Sequence, residues 1–174
     1  MFHSKADLMV PELKRVHVYA RRGKDHLIMP TQSVKRNIFQ RILGLCATRI
    51  PADPGCWRYD GGDIILDLQR VPELARPGGA VRLEGRGLPH RLLVCRGMDN
   101  AIHVFVNRCG HAGRRVDPTP DGGAVQCCSV GKSTYALDGE VLAGPARNGL
   151  RKCTVREDNG KVYIGSPEKK GKKP

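Results

Sequence analysis

The sequence predicts an all-β fold of antiparallel sheets stacked as a sandwich or barrel. Three observations predict it. Asp60-Gly61, Asp121-Gly122, Asp138-Gly139 and Asn159-Gly160 are Asx-Gly pairs, which readily adopt the positive φ angles of tight hairpin turns. Short β-prone segments flank these turns, and no helical pattern alternates with them, which argues against a parallel α/β sheet. Finally, Pro72, Pro77, Pro89, Pro118, Pro120 and Pro145 all fall between those segments, where a missing backbone N–H costs least.

Taken in order, residues 1–61 read as a basic, mostly irregular extension with one short helix. Ser33 can cap that helix, because its hydroxyl can accept an orphan backbone N–H. Val34, Ile38, Ile42 and Leu45 recur at helical spacing, and Gly44 marks the stop. Lys35, Arg36 and Arg41 occupy other faces. The expectation is that the apolar stripe packs on its own domain rather than binding RNA or a membrane surface. Cys46 and Cys56 are too far apart for a tight metal knuckle and read as buried or idle thiols.

Residues 62–165 form the predicted β domain. Its strands are expected at Asp63–Leu68, Ala80–Leu83, Arg91–Cys95, Ile102–Asn107, Ala124–Gln126, Thr134–Leu137, Cys153–Arg156 and Lys161–Ile164. His103 alternates with apolar residues and is expected to face outward, while Cys95 and Cys153 read as small buried thiols. Residues 166–174 are a basic tail, predicted to be disordered around Lys169, Lys170, Lys172 and Lys173.

The formal net charge of +13 points to an acidic partner: a protein, a nucleic acid or an anionic membrane surface. No apolar leader or membrane-length apolar run is present in the sequence, so a cytoplasmic location is expected. The seven cysteines then read as thiols or metal ligands, and their odd count argues against a fully paired disulfide framework.

The chemistry concentrates in Cys109-Gly110-His111 and, in a second loop, the adjacent pair Cys127-Cys128. Thiolate and imidazole are soft and borderline donors suited to iron–sulfur clusters or to zinc. Both loops follow predicted strands, so two hairpin tips could close over one centre.

From about residue 64 to 165 the chain resembles a Rieske-type [2Fe-2S] domain of the small ferredoxin or oxygenase-component kind. The resemblance rests on Pro77-Gly78-Gly79-Ala80-Val81-Arg82-Leu83, on Asn107 to Gly113, on Asp138-Gly139-Glu140-Val141 with Gly144-Pro145-Ala146 and Leu150, and on the closing hairpin from Thr154 to Ile164. It implies three stacked antiparallel sheets with the cluster at two loop tips. It also implies that Cys109 binds one iron and His111 the other. Counting back from Asp138-Gly139 makes Cys128 the second cysteine and places Ser133 and Tyr135 where the family has hydroxyls that donate to cluster or ligand sulfur. Counting by loop length makes it Cys127, and the Cys128 register is the preferred one. The family's second histidine would fall at Val130 counted from Cys127, or at Gly131 counted from Cys128.

Three readings follow from that departure. The domain holds a [2Fe-2S] cluster with atypical ligation, Cys127 being one substitute ligand; or the same thiols and His111 hold zinc; or the fold is a cluster-free interaction module. The first implies electron transfer to a redox partner protein. The chain is expected to be a component rather than a complete enzyme, since the remainder is short for a mononuclear iron domain.

Overall fold

A computed structural model describes residues 35–85 and 87–168. Ser33, Val34, the lysines of the tail, and His3, His17 and His26 lie outside the described residues. The described part is mostly β, with one short helix, as the sequence predicts. The helix α1 spans Ile38–Leu43. Eleven strands follow: β1 Trp57–Asp60, β2 Asp63–Asp67, β3 Ala80–Leu83, β4 Leu92–Arg96, β5 Ile102–Val106, β6 Val116–Pro118, β7 Ala124–Cys127, β8 Thr134–Ala136, β9 Val141–Ala143, β10 Cys153–Asp158 and β11 Lys161–Pro167. Two 3-10 turns, Leu68–Arg70 and Pro72–Leu74, join β2 to β3. No helix among the described residues is long and apolar enough to cross a membrane.

The strands form three antiparallel sheets, ordered β1-β2-β11-β10, β3-β4-β5 and β6-β7-β8-β9. Each predicted Asx-Gly turn joins neighbouring strands. Gly61, Gly122, Gly139 and Gly160 take φ of 59°, 71°, 91° and 73° between β1 and β2, β6 and β7, β8 and β9, and β10 and β11. The strands unforeseen from sequence are β1, β6 and β9. β1 carries mostly exposed side chains, and β6 and β9 are only three residues long, so none shows a clear alternation.

The three-stranded sheet is the middle layer. Alternate residues of its strands feed two apolar clusters, as the period-2 geometry of a strand requires. Leu92, Val94, Val104 and Val106 pack with Ile64, Leu66, Val162 and Ile164 of the first sheet. Leu93, Cys95 and Phe105 pack with Val116, Val125 and Tyr135 of the third. Both faces are covered, so β4 and β5 are almost continuously buried. His103 is therefore inside rather than facing outward. It is 9% exposed, and its Nε2 lies 3.0 Å from both carboxylate oxygens of Asp99. A strand covered on both faces offers no outward side.

The helix departs further from expectation. Asn37, not Ser33, is its N-cap: its side chain accepts from Gln40 N–H at 2.8 Å, and the Gln40 side chain accepts from Asn37 N–H at 3.1 Å. Gly44 ends the helix in the left-handed region at φ 65°, as the sequence predicts. The apolar stripe does not pack inward: Ile38, Phe39, Ile42 and Leu43 are all more than half exposed, whereas Arg41 is buried. Polar anchors decide this orientation. Arg41 donates to Gln126 Oε1 at 3.4 Å, and Arg36 forms a buried ion pair with Asp117. Asp117 also accepts from Ala47 N–H at 2.8 Å and Thr48 N–H at 3.0 Å. Arg114 closes the far end by donating to Leu43 O at 2.9 Å.

Asp117 thus fastens the helix segment to β6. Replacing Asp117 with Ala leaves the Arg36 guanidinium buried without its counter-ion and is expected to cost about 3–5 kcal/mol. A urea unfolding midpoint lowered to match, together with new protease cleavage between residues 36 and 48, is the expected result.

Candidate metal centre

The first ligand loop leaves the end of β5. Asn107 sits wholly buried at its base, where its Oδ1 accepts from Val116 N–H at 2.8 Å. Cys109 N–H donates to Arg114 O at 2.7 Å, and Gly113 N–H donates to Cys109 O at 2.9 Å, so the loop closes on itself around Cys109. The second loop leaves β7 and is closed by Cys127 N–H donating to Ser133 O at 2.8 Å. Lys132, at φ 47°, makes the left-handed turn within it. These closures hold two tips side by side.

Between the tips lie Cys109, His111 and Cys127, whose ligand atoms are all within 4.8 Å of one another. Cys109 Sγ is 3.3 Å from His111 Nδ1. The two cysteines are buried and His111 is exposed, so the group reaches solvent on its imidazole side. Tyr135, fully buried on β8, spans the loops. Its hydroxyl accepts from Gly110 N–H at 3.3 Å and lies 3.0 Å from Cys109 Sγ. Since the oxygen already accepts one hydrogen, its own proton is placed to donate to the sulfur.

The electrostatics are asymmetric. The hydrogen bond from Cys127 pushes the Cys109 thiol down to about 4, with Tyr135 and His111 adding to the effect. The same bond, together with burial, pushes the Cys127 thiol up. Burial, followed by the bond to Cys109, raises the Tyr135 hydroxyl. The arrangement favours the charged form of Cys109, and a metal held by both sulfurs would take Cys127 as its thiolate as well.

The structure separates the adjacent cysteines. Cys127 joins the group, whereas Cys128 points away, its Sγ 3.5 Å from Asp117 Oδ2. Neighbouring residues of an extended segment face opposite sides. The register that takes Cys128 as the second-loop ligand thus meets a thiol turned to the far side of the loop. Ser133 is buried, and its hydroxyl oxygen accepts from Ala146 N–H at 3.1 Å, tying the loop to the Pro145 segment. Ser129 is a participant missed in the sequence: its Oγ lies 3.2 Å from Cys127 Sγ. A hydroxyl two residues past a candidate ligand was the available signal.

The two candidate positions for a second histidine differ. Val130 is 51% exposed. A Cβ built on Gly131 would lie 3.4 Å from His111 Nε2, but also 2.8 Å from Pro145 Cγ. Beside the first loop opens a cavity of about 520 Å³, whose walls include Arg108, Cys109, His111, Asn148 and Arg151.

Residues 68–154, half of the chain, match the family model described as the Rieske [2Fe-2S] domain. The chain belongs to the Rieske family. Among characterised proteins it is 30% identical, over 83 residues, to the alpha subunit of 2-aminobenzenesulfonate 2,3-dioxygenase of an Alcaligenes species. That alignment covers 42% of this chain and 21% of the relative, so the chain spans about a fifth of that protein's length. Similar solved structures include the ferredoxin of carbazole 1,9a-dioxygenase from Nocardioides aromaticivorans IC177, with 16% identity, TM-score 0.47, and coverage of 58% of this chain and 93% of that one. Another is a Sphingomonas yanoikuyae B1 ferredoxin, with 22% identity, TM-score 0.46, and coverage of 55% and 94% respectively.

A Rieske domain implies a [2Fe-2S] cluster. Tested against this site, three donors fit in type: two thiols and one imidazole drawn together at the loop tips. Neither Val130 nor Gly131 supplies the second imidazole, and among the described residues the group has no fourth member.

The Tyr135 hydroxyl helps hold the negative charge on Cys109. Tyr135→Phe is expected to raise the Cys109 thiol from about 4 toward the ordinary thiol range, read by thiolate ultraviolet absorbance against pH. The ring packing survives, so the unfolding midpoint should move little.

Proposed function

We propose that this chain is an electron-transfer component whose [2Fe-2S] cluster is held by Cys109, Cys127 and His111, with no second histidine. The reading rests on one observation: the ligand atoms of these three residues meet within 4.8 Å at the tips of two loops. When bound, such a cluster supplies one-electron redox chemistry. Cys109 and Cys127 provide the buried thiolates, and Tyr135 donates to Cys109 sulfur, which favours its charged form. His111 keeps its imidazole at the surface, where a partner can approach.

The partner we propose is a redox protein with an acidic docking face. Arg108 and Arg151 line the cavity beside His111, and Arg91 reaches the same loop at Gly113 O. Guanidinium groups clustered around the exposed tip steer association with a negatively charged surface. An oxygenase component is the corresponding partner class, and a cytoplasmic setting suits the free cysteines.

Zinc is the second reading, favoured by the compactness of the group. A tetrahedral site with Zn–S of about 2.3 Å and Zn–N of about 2.0 Å sets sulfur and nitrogen roughly 3.5 Å apart. Cys109 Sγ and His111 Nδ1 are separated by 3.3 Å. The cluster-free interaction module is the third.

Anaerobically purified protein is expected to be coloured and to contain about two irons and two acid-labile sulfides per chain. Stoichiometric zinc without sulfide would establish the second reading, and metal-free, colourless protein the third. Under the proposed ligation, Cys109→Ser, His111→Ala and Cys127→Ser should each reduce bound iron to below about a tenth, whereas Cys128→Ser should retain it. The reverse pattern for the two adjacent cysteines would overturn the ligand set. Gly131→His combined with Pro145→Ala, which clears the ring beside that position, is expected to alter the visible circular dichroism of the cluster. An unchanged spectrum would show that residue 131 does not face it.

A further inference from the structure

The segment that carries α1 presents its apolar side to solvent. Of the nine large apolar side chains exposed among the described residues, six fall between residues 38 and 50: Ile38, Phe39, Ile42, Leu43, Leu45 and Ile50. Phe39 is the most open, at 72%. Scattered exposed apolar residues are ordinary, but a concentration of this kind marks a surface that another body covers. The orientation is held from beneath. Ile38, Phe39, Ile42 and Leu43 share one face of α1, and Arg41 lies on the other, buried with the Arg36–Asp117 ion pair. Turning the apolar face inward would break those buried contacts.

Charge and the lack of directional groups select what covers the face. Residues 35–52 contain no Asp or Glu, and Asp117, which the segment does touch, is buried against Arg36. Exposed Lys35 and Arg49 flank the apolar run, and exposed Arg114 lies at the end of the helix, donating to Leu43 O at 2.9 Å. A second copy would set these cations against their own duplicates, which opposes self-association. A protein groove is recognised through directional hydrogen bonds as well as apolar contact. The Asn37 and Gln40 side chains are already engaged in capping the helix, so the face offers chiefly apolar groups and cations. That combination suits the boundary of an anionic bilayer, where apolar side chains enter between the lipids and Lys and Arg stay among the headgroups.

We propose that this segment docks the chain on an anionic lipid surface. Phe39, Ile42 and Leu43 enter the headgroup boundary, and Lys35, Arg49 and Arg114 pair with lipid phosphates. The contact is peripheral, and it does not rest on the metal centre.

The full chain is sedimented with vesicles of phosphatidylglycerol mixed with phosphatidylcholine, and with vesicles of phosphatidylcholine alone. Most of the protein is expected to pellet with the anionic vesicles and to stay in solution with the neutral ones, and added salt should weaken the partition. Phe39→Ser combined with Ile42→Ser leaves the net charge unchanged and should lower the partition at least about tenfold, with the unfolding midpoint unmoved because both side chains are exposed. Lys35→Glu combined with Arg49→Glu should lower it as well. In Phe39→Trp, the added tryptophan emission should shift to the blue on mixing with anionic vesicles and be quenched by brominated lipid. An unchanged partition in the double serine variant would overturn the proposal, since the basic charge of the chain would then suffice. So would failure to bind the anionic vesicles, which leaves the face to an acidic protein. A tryptophan emission already blue before lipid is added and unmoved by it would assign the cover to the chain itself, and concentration-dependent dimers lost in the double serine variant would assign it to a second copy; either result overturns the lipid reading.

Discussion

The Tyr135 hydroxyl bridging Gly110 N–H and Cys109 sulfur is the contact that ties the first loop of the candidate site to the third sheet. Cys109 belongs to a loop of the middle sheet, and Tyr135 to the sheet that carries Cys127. The hydroxyl contact adds a side-chain tie to the backbone bond from Cys128 N–H to Arg115 O that already joins the two loops. The side chain that makes it is fully buried among Leu93, Phe105 and Val125. Core packing therefore fixes the position of the hydroxyl, and the hydroxyl fixes one loop against the other. The donors are set by the apolar layer beneath them, which is how a rigid scaffold positions functional loops.

The same third sheet separates two kinds of thiol. Because side chains alternate along an extended segment, Cys127 and Cys128 serve opposite faces of one loop. One faces the imidazole of His111; the other faces Asp117 and the segment that precedes the β domain. Asp117 links these halves. It anchors backbone from residues 47 and 48, pairs with Arg36 and touches Cys128, so a single buried carboxylate ties the helix segment to the back of the centre.

Much of the fold was legible because its signals are local. Asx-Gly turns and short apolar alternations mark hairpins from neighbouring residues alone, and the four turns fall where they were expected. The Cys109-Gly110-His111 motif is likewise local, whereas the hydroxyls of Ser133 and Tyr135 entered only through the family resemblance. What escaped the sequence depends on long-range partners. The inward turn of His103 follows from a sheet covered on both faces, and the outward face of α1 follows from Arg36 and Arg41 finding Asp117 and Gln126. Counting from either end of the loop gives a different second-loop cysteine, and side-chain direction, which the sequence does not carry, sets Cys127 beside His111 and Cys128 beside Asp117.

The packing around Gly131 limits what can stand between the two ligand loops. A Cβ there would fall 2.8 Å from the Pro145 ring, in a segment itself tied to Ser133 through Ala146. Any side chain at that point thus requires the neighbouring ring to give way as well. A substitution at residue 131 alone meets a steric barrier in the Pro145 ring. Residues 131 and 145 therefore behave as one steric unit, and neither can be enlarged independently of the other.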